Sequence, residues 1–511
     1  MTAHLKQGAA VAGGRFKSRN TGTPRWTRAG LALGALVVAS SVACKDSNIP
    51  YYLSPTSVDN TPSGIQNAVT GLVAASRQDV STDINYMTMF ARDEANIQED
   101  NPQDVLYGTG LDVILSSSDA VWDNEYLSVG AAISIINAVP NVTPAYTAPQ
   151  AAAVIGIAQT LEAMNLMTVA ETRDTLGIPV HAASGGGVGP VYCSKDAWAQ
   201  IVAELDSANN QLQTAGAIPL PVKLPPGFSL VSSVAAPSTA AGSFASFNRA
   251  LAAKAGLNLA YAIARSAAGT APTATTGGSP NITALTRADS AATASALYTP
   301  TSLSPEPTSG WTDVSDGVFF DYSAQAGDLV DPLNSQQGIW VTLRTLVADV
   351  DTINDLRWKA KFGPNPFPLQ IAQYAPQTVP TLYNAYANTA TPIPIIRSEG
   401  LVLNEAQIQL GLGNFANAIT LINDVHEQVG GFTSPLVIAA TYTAVRDSLM
   451  KEQRISTAFE YGNDRVSSIQ MYNLQAIADT TWGSKDLHTT VLPIPSSEVE
   501  GRGGSYTLTC N

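Results

Sequence analysis

Three histidines follow residue 43, namely His181, His426 and His488, and their spacing contains no His-Glu-x-x-His. That leaves no recognisable pattern for a zinc site, and no cofactor or metal is called for. Cys193 and Cys510 have no His or Cys close by in sequence. In an oxidising compartment they can pair, but sequence alone leaves the pairing open. The carboxylates Asp93, Glu94, Glu99 and Asp100 would permit a glycosidase pair. In a chain this acidic such a cluster reads first as a solvated face. The glycine run around Gly185, Gly186, Gly187 and Gly189 has no Lys-Ser/Thr after it and no strand signal before it, so it reads as a plain loop. Catalytic chemistry is therefore weakly represented, and the expectation is a protein that is not an enzyme.

One cysteine stands apart. Residues 1–30 carry Lys6, Arg15, Lys17, Arg19, Arg25 and Arg28 and no acid, and residues 31–43 are uncharged. This is the layout of a secretory signal, with an apolar run too short to span a bilayer. It ends in Ser41-Val42-Ala43-Cys44. Small residues directly before a Cys at that boundary are the pattern of a bacterial lipoprotein cleavage site, with Ser41 where Leu is usual. There the thiol becomes a thioether to diacylglycerol. The expected division is a lipoprotein signal peptide over 1–43 and one mature domain over 44–511, tethered to a membrane through Cys44. Lys45, rather than Asp, removes the best-known inner-membrane retention signal and favours the outer membrane.

Removing the six leader cations from the chain's 27 leaves 21 basic against 41 acidic residues. Such a surface argues against a nucleic-acid partner, whose phosphates need Lys and Arg. It would also be repelled by anionic headgroups, so attachment depends on lipid. With 45% apolar residues, the chain can bury a sizeable core. No apolar run after Cys44 reads as a membrane span.

The elements that would position these groups are helices. Trp122, Tyr126, Val129, Ile133 and Ile136 fall on one helical face. Trp198, Ile201, Val202, Leu205 and Leu212 repeat the pattern, with Ser194 placed to cap the start. Residues 245–265 form an Ala-rich helix. Residues 397–412 and 414–429 read as two helices joined at Gly413, with Ala406 and Ala418 small enough for close approach. That is a helical hairpin of the tetratricopeptide type, although no strict repeat is present. Long irregular stretches lie over 179–190, 214–244, 266–281, 299–335 and 362–395. Such loops in a compact protein carry function or remain disordered. Residues 311–386 hold the densest aromatic supply: Trp311, Phe319, Phe320, Tyr322, Trp340, Trp358, Tyr374, Tyr383 and Tyr386.

Several segments, in order, resemble the SusD/RagB family of outer-membrane nutrient-binding lipoproteins. Trp122-x3-Tyr126 with Asn137 matches an early family helix, and Leu176-Gly177-Ile178-Pro179 matches a turn that follows the next one. The Trp198–Leu212 pattern, the Asn248 to Tyr261 segment and Asp355-Leu356-Arg357 continue the series. The densest stretch joins Ile396-Arg397-x-Glu399, Asn404-Glu405-Ala406, Leu412-Gly413-Asn414 and Ile422-Asn423. Glu452-Gln453-Arg454, Phe459-Glu460, Arg465 and Leu492-Pro493-Ile494-Pro495 follow it. Gln453 stands where the family has Arg, Tyr461 interrupts the usual Glu-Gly, and Ser467-Ser468 replaces an acid. Within these motifs Glu399, Glu452, Arg454 and Arg465 read as structural salt-bridge residues between helices.

The resemblance implies a mainly α fold, with tetratricopeptide-like helix pairs forming a superhelical scaffold that carries long irregular loops. It further implies a lid over a TonB-dependent transporter of the SusC type, to which a captured nutrient, often a glycan, is delivered. Aromatic faces suit sugars, because the C–H face of a pyranose stacks on the ring while Asn, Asp and Arg bind hydroxyls. The ligand surface is accordingly expected to use Trp311, Trp340 and Tyr374, with polar support from Asp100 and Asn101. A glycan or peptide nutrient fits this reading. A structural envelope or assembly protein and a surface hydrolase are the competing classes.

Overall fold

In the computed structural model, the described residues are 58–509 apart from 79, 97–116, 143–144, 181–188, 225–227, 229–233, 241, 269–279, 306–315, 324–327, 337–339, 365–380, 387 and 475–490. Helices dominate. The N-terminal series runs α1 (Pro62–Arg77), α2 (Val80–Phe90), strand β1 (Glu94–Asn96), α3 (Ser117–Ala138) and α4 (Ala148–Arg173). Next come β2 (Ile178–Pro179), β3 (Val191–Tyr192), α5 (Ser194–Ala215), α6 (Phe244–Ala268) and α7 (Ile282–Ala294). The middle of the chain holds β4 (Gly317–Phe320), β5 (Trp340–Thr342), α8 (Arg344–Asp349), α9 (Leu356–Lys361), β6 (Phe362–Pro364), β7 (Thr381–Tyr383) and β8 (Ile393–Arg397). The last part is α10 (Ser398–Gly411), α11 (Phe415–Gln428), α12 (Tyr442–Ser456), α13 (Asp464–Met471), α14 (Ser496–Gly501) and β9 (Leu508–Thr509).

Local signals explain the helix starts. Thr147 and Gln150 form a capping box, with Pro149 in the first turn of α4. Thr61, Asn281 and Thr441 cap α1, α7 and α12 through their side chains. At α5 the cap residue is Cys193, without a side-chain bond, and Ser194 is already helical. The expected role of Ser194 is thus displaced by one residue.

Packing follows chain order: α3 on α4, α4 on α5, α5 on α6 and α6 on α7, with α10 then contacting both α6 and α7. The Trp198 stripe is buried as expected. The Trp122 stripe is buried at Trp122, Tyr126 and Val129, but Ala132 and Ile135 then replace Ile133 and Ile136 as the buried positions. A helix covered on more than one side does not keep a single apolar face. Helix α4 has the length and composition to cross a bilayer, contrary to the reading of the sequence, yet its side chains are mostly buried within the protein. It is a core helix, carrying interior polar residues such as Asn165 and Glu171.

The α10–α11 hairpin forms as the motif implies. Gly413, at φ +80°, makes the joint, and Ala406 and Ala418 are fully buried. A Cβ at Gly413 would meet nothing within 4 Å, so the cost of a side chain there is conformational. Gly413→Val is expected to lower stability by ~1–2 kcal/mol. Gly413→Asn should cost clearly less, because Asn tolerates the left-handed region. Urea unfolding of the two variants measures the difference.

The long middle segments are less irregular than their composition suggested. β4 pairs with β8 and turns Phe319, Phe320 and Tyr322 into the main core, where Tyr386 is also buried. β2 and β3 likewise bracket the glycine run, against the expectation that no strand precedes it. β9 adds to β3 in parallel, with Thr509 opposite Tyr192. Cys193 is disulfide-bonded, and Cys510 directly follows Thr509 in the chain. Peptide mapping without reductant is expected to recover Cys193 joined to Cys510. Recovery of both as free thiols would refute this.

Candidate functional site: a platform at the roots of three loops

Most of the expected ligand residues fall outside the described residues, as do Cys44 and the leader: Asp100 and Asn101 in 97–116, Trp311 in 306–315 and Tyr374 in 365–380. The structure does show where those segments are rooted. β1 pairs antiparallel with β5, Asn96 opposite Trp340 and Glu94 opposite Thr342. β6 pairs with β7, and the Thr342 hydroxyl reaches the carbonyl of Thr381 at 3.0 Å, tying β5 to β7. Residue 97 leaves the end of β1, residue 339 enters β5, and 365–380 joins β6 to β7. The stretches carrying Asp100, Asn101 and Tyr374 therefore spring from one small platform. Trp311 belongs to the segment entering β4, a different sheet.

Trp340 is the one expected aromatic that is described, and it is buried, 2% exposed, beside Val341 and Leu343 in a core cluster of its own. Its register opposite Asn96 turns the ring inward. It supports the platform and presents no exposed face.

The platform is clamped from below by α12 and α13. Arg454 Nε binds Asp93 Oδ1 at 2.8 Å and Nη1 binds Asp349 Oδ2 at 2.7 Å. Nη2 donates to Thr345 Oγ1 at 3.0 Å and also to the carbonyl of Arg92. Arg92 sits at φ +58°, a conformation a non-glycine residue holds only when its surroundings fix it. Here Arg454 and Thr345 both hold its carbonyl. Arg465 donates to the carbonyls of Ala91 and Met450.

Of the four carboxylates read as a solvated face, Glu99 and Asp100 lie outside the described residues, and the other two are the opposite. Asp93 and Glu94 are fully buried. Burial pushes Asp93 up, against the opposing pull of Arg454 and Arg465. Burial also holds Glu94 well above the usual carboxylate range, opposed by the Thr342 hydroxyl 3.1 Å away. The Thr342 hydroxyl thus sits within hydrogen-bond reach of both the Glu94 carboxyl and the Thr381 carbonyl. These acids build the platform and cannot reach a ligand.

Of the four residues expected to pair between helices, Glu452 and Arg454 do so, with Arg357 and Asp349, while Glu399 pairs with Arg397 two residues away. Glu399 binds Arg397 at 2.7 Å, Arg397 also binds Glu460 at 2.7 Å, and Lys361 meets Glu460 at 2.9 Å. Glu452 binds Arg357 at 2.7 Å. Arg465 instead makes the carbonyl bonds above. Lys254 lies between Glu171 and Asp464, at 3.3 and 3.1 Å, beside a cavity of about 30 Å³ that has room for a water molecule. Among the described residues no group of three or more His, Cys, Asp or Glu is arranged to hold a metal.

The scaffold is mainly helical and built on tetratricopeptide-type helix pairs. No family sequence model and no curated relative matches the chain, but solved structures do. A SusD superfamily protein from Bacteroides vulgatus aligns with a TM-score of 0.60 at 12% identity, over 88% of this chain and 98% of its own. A SusD-like carbohydrate-binding protein from Bacteroides fragilis aligns at 0.59 and 11% identity, covering 86% and 98%. Surface glycan-binding protein A from Bacteroides thetaiotaomicron, in complex with laminarihexaose, aligns at 0.59 and 13%, covering 87% and 98%. The chain has the SusD-like fold, and the resemblance carried by its motifs holds at that level.

Proposed function

We propose that this protein is a lipid-anchored outer-membrane nutrient-binding protein. It captures a glycan or other oligomeric nutrient, a peptide included, and hands it to a TonB-dependent transporter of the SusC type. The observation that carries the reading is the fold match over almost the whole length of the neighbours, one of which holds laminarihexaose. Three features support it further. The stretches carrying Asp100, Asn101 and Tyr374 are rooted on one small platform, and binding groups are commonly displayed on loops of that kind. The leader over 1–43 ends at Cys44, and the two acyl chains of a diacylglyceryl group hold stably where one would not. The platform acids that are described, Asp93 and Glu94, are buried, which favours binding over catalysis.

The test has two arms. A Cys44→Ser protein should leave the membrane fraction, whereas retention as tight as wild type would exclude the lipid anchor. Residues 51–511 form one compact unit, so the chain from Lys45 can be screened against glycan and peptide arrays. Trp311→Ala and Tyr374→Ala should each weaken the best ligand several-fold, as the loss of an aromatic stacking contact would. Unchanged affinity in both would move the site away from these loops. Turnover of the ligand during the screen would favour the hydrolase reading instead.

A further inference from the structure

A second cleft, of about 430 Å³, lies apart from the platform loops in sequence, between the α8–α9 turn, α12 and the loop from α11 to α12. Its deep part is fully built. Arg357 bridges Asp355 and Glu452, each at 2.7 Å. His426, only 7% exposed, sets Nδ1 3.0 Å from Glu452 and stacks flat on Phe432 with ring centres 4.0 Å apart. Burial opposes the charge on Glu452, but Arg357 and His426 hold its carboxyl below the usual range. The other ring nitrogen, Nε2, makes no hydrogen bond among the described residues.

The outer part of the cleft is apolar and unpaired. Asn423 pins the backbone of Leu436 on both sides, at 2.7 Å from its N–H and 3.4 Å from its carbonyl. Leu436 and Ile438 then pack toward the core while Val437 stands fully exposed, which is strand-like alternation. The backbone of Val437 and Ile438 makes no hydrogen bond among the described residues. Ile353, two residues from Asp351 on the opposite wall, is 75% exposed. Apolar side chains this exposed beside an open strand-like edge favour strand addition by a partner. The charge balance says what kind. Asp349, Asp351, Asp355 and Glu452 line the cleft against two cations, Arg357 and Lys451. Asp349 is shared between Arg454 and Lys451, whereas Asp351 is held within its own turn by Ile353 and Asn354, with the charge of Lys359 acting on it.

We propose that this cleft docks an extended segment of another protein. The segment lies as a short strand along 436–438, covers Val437 and Ile353 with apolar side chains, and places one Lys or Arg beside Asp351. Glycan binding at the platform does not enter this inference, so either can fail alone.

The test is a displayed library of random linear dodecapeptides, selected on the full-length protein in detergent. Enrichment of peptides with one basic residue among β-branched apolar residues is expected. For a synthetic peptide made from that consensus, Val437→Asp should weaken binding at least tenfold and Asp351→Asn several-fold. Replacing its basic residue by Glu should abolish binding. Both positions are exposed, so the two variants should unfold at the wild-type midpoint, and a variant that does not is replaced by Ile353→Asp. No enrichment, enrichment of acidic peptides, or equal binding to the variants and the wild type would each overturn the proposal.

Discussion

Arg454→Met is expected to lower the stability of the protein by about 3–5 kcal/mol, the usual result of removing one member of a buried ion pair. Arg454 is 1% exposed at its side chain and Asp93 is fully buried. Without the guanidinium, Asp93 is left as a buried carboxylate whose remaining neutral partner is Asn463, 3.4 Å away. Arg465 is too far to form a bridge, although its charge is felt. The stranded carboxylate is relieved by taking up a proton, so the deficit should shrink as pH falls. Arg454→Met with Asp93→Asn should recover part of the loss, and a double-mutant cycle in urea gives the coupling. Equal destabilisation at pH 5 and pH 8, with no recovery in the double variant, would show that the pair is not what holds α12 to β1. Because Arg454 also holds the Arg92 carbonyl and Thr345, the single variant should lose any ligand that depends on the platform.

Stability should be greatest in mildly acidic solution. Burial, with Gln409 and then Asp289 as its polar neighbours, pushes Glu405 up to about 8 from the usual 4.5. Glu125 beside Asp83, and Glu162 beside Glu204, are also raised well above that value, again with burial as the main cause. Such groups hold a proton in the folded state that the unfolded chain releases above pH 4.5. Stability therefore falls as pH rises from there, for Glu405 until about pH 8, at a rate approaching 1.4 kcal/mol per pH unit for each group. On the acid side the sign reverses. Asp328, where slight burial is outweighed by bonds from Arg77 and Ser323, is held down to about 2. Its contribution is lost as pH drops from 3.8 toward 2. The urea midpoint should thus peak near pH 4–5 and decline toward pH 8, and Glu405→Gln should flatten part of that decline. A midpoint that rises between pH 5 and pH 8 would contradict the assignment.

What could be read along the chain was whatever depends on neighbours in sequence. The Trp198 stripe and the Gly413 joint are local matters of period and backbone conformation, so spacing alone located them. The motif series around 396–425 and 452–465 pointed to the fold through its resemblance to a known family. The leader and Cys44 likewise form a contiguous signal. Pairing across long distances was not legible. Asp93 and Arg454 stand 361 residues apart, and neither knows its partner until β1, α12 and α13 meet. A carboxylate pair such as Asp93-Glu94 looks solvated in a list of residues because isolated charges cost too much to bury. The tertiary structure buries both, one against a guanidinium and one beside the Thr342 hydroxyl. Some aromatics of 311–386 went the same way. Trp340 was expected at the ligand, and Phe319 and Phe320 stood in an aromatic-rich stretch read as a loop, but short strands alternate their side chains between two faces. Only the pairing of β4 with β8, and of β1 with β5, decided that those faces are interior.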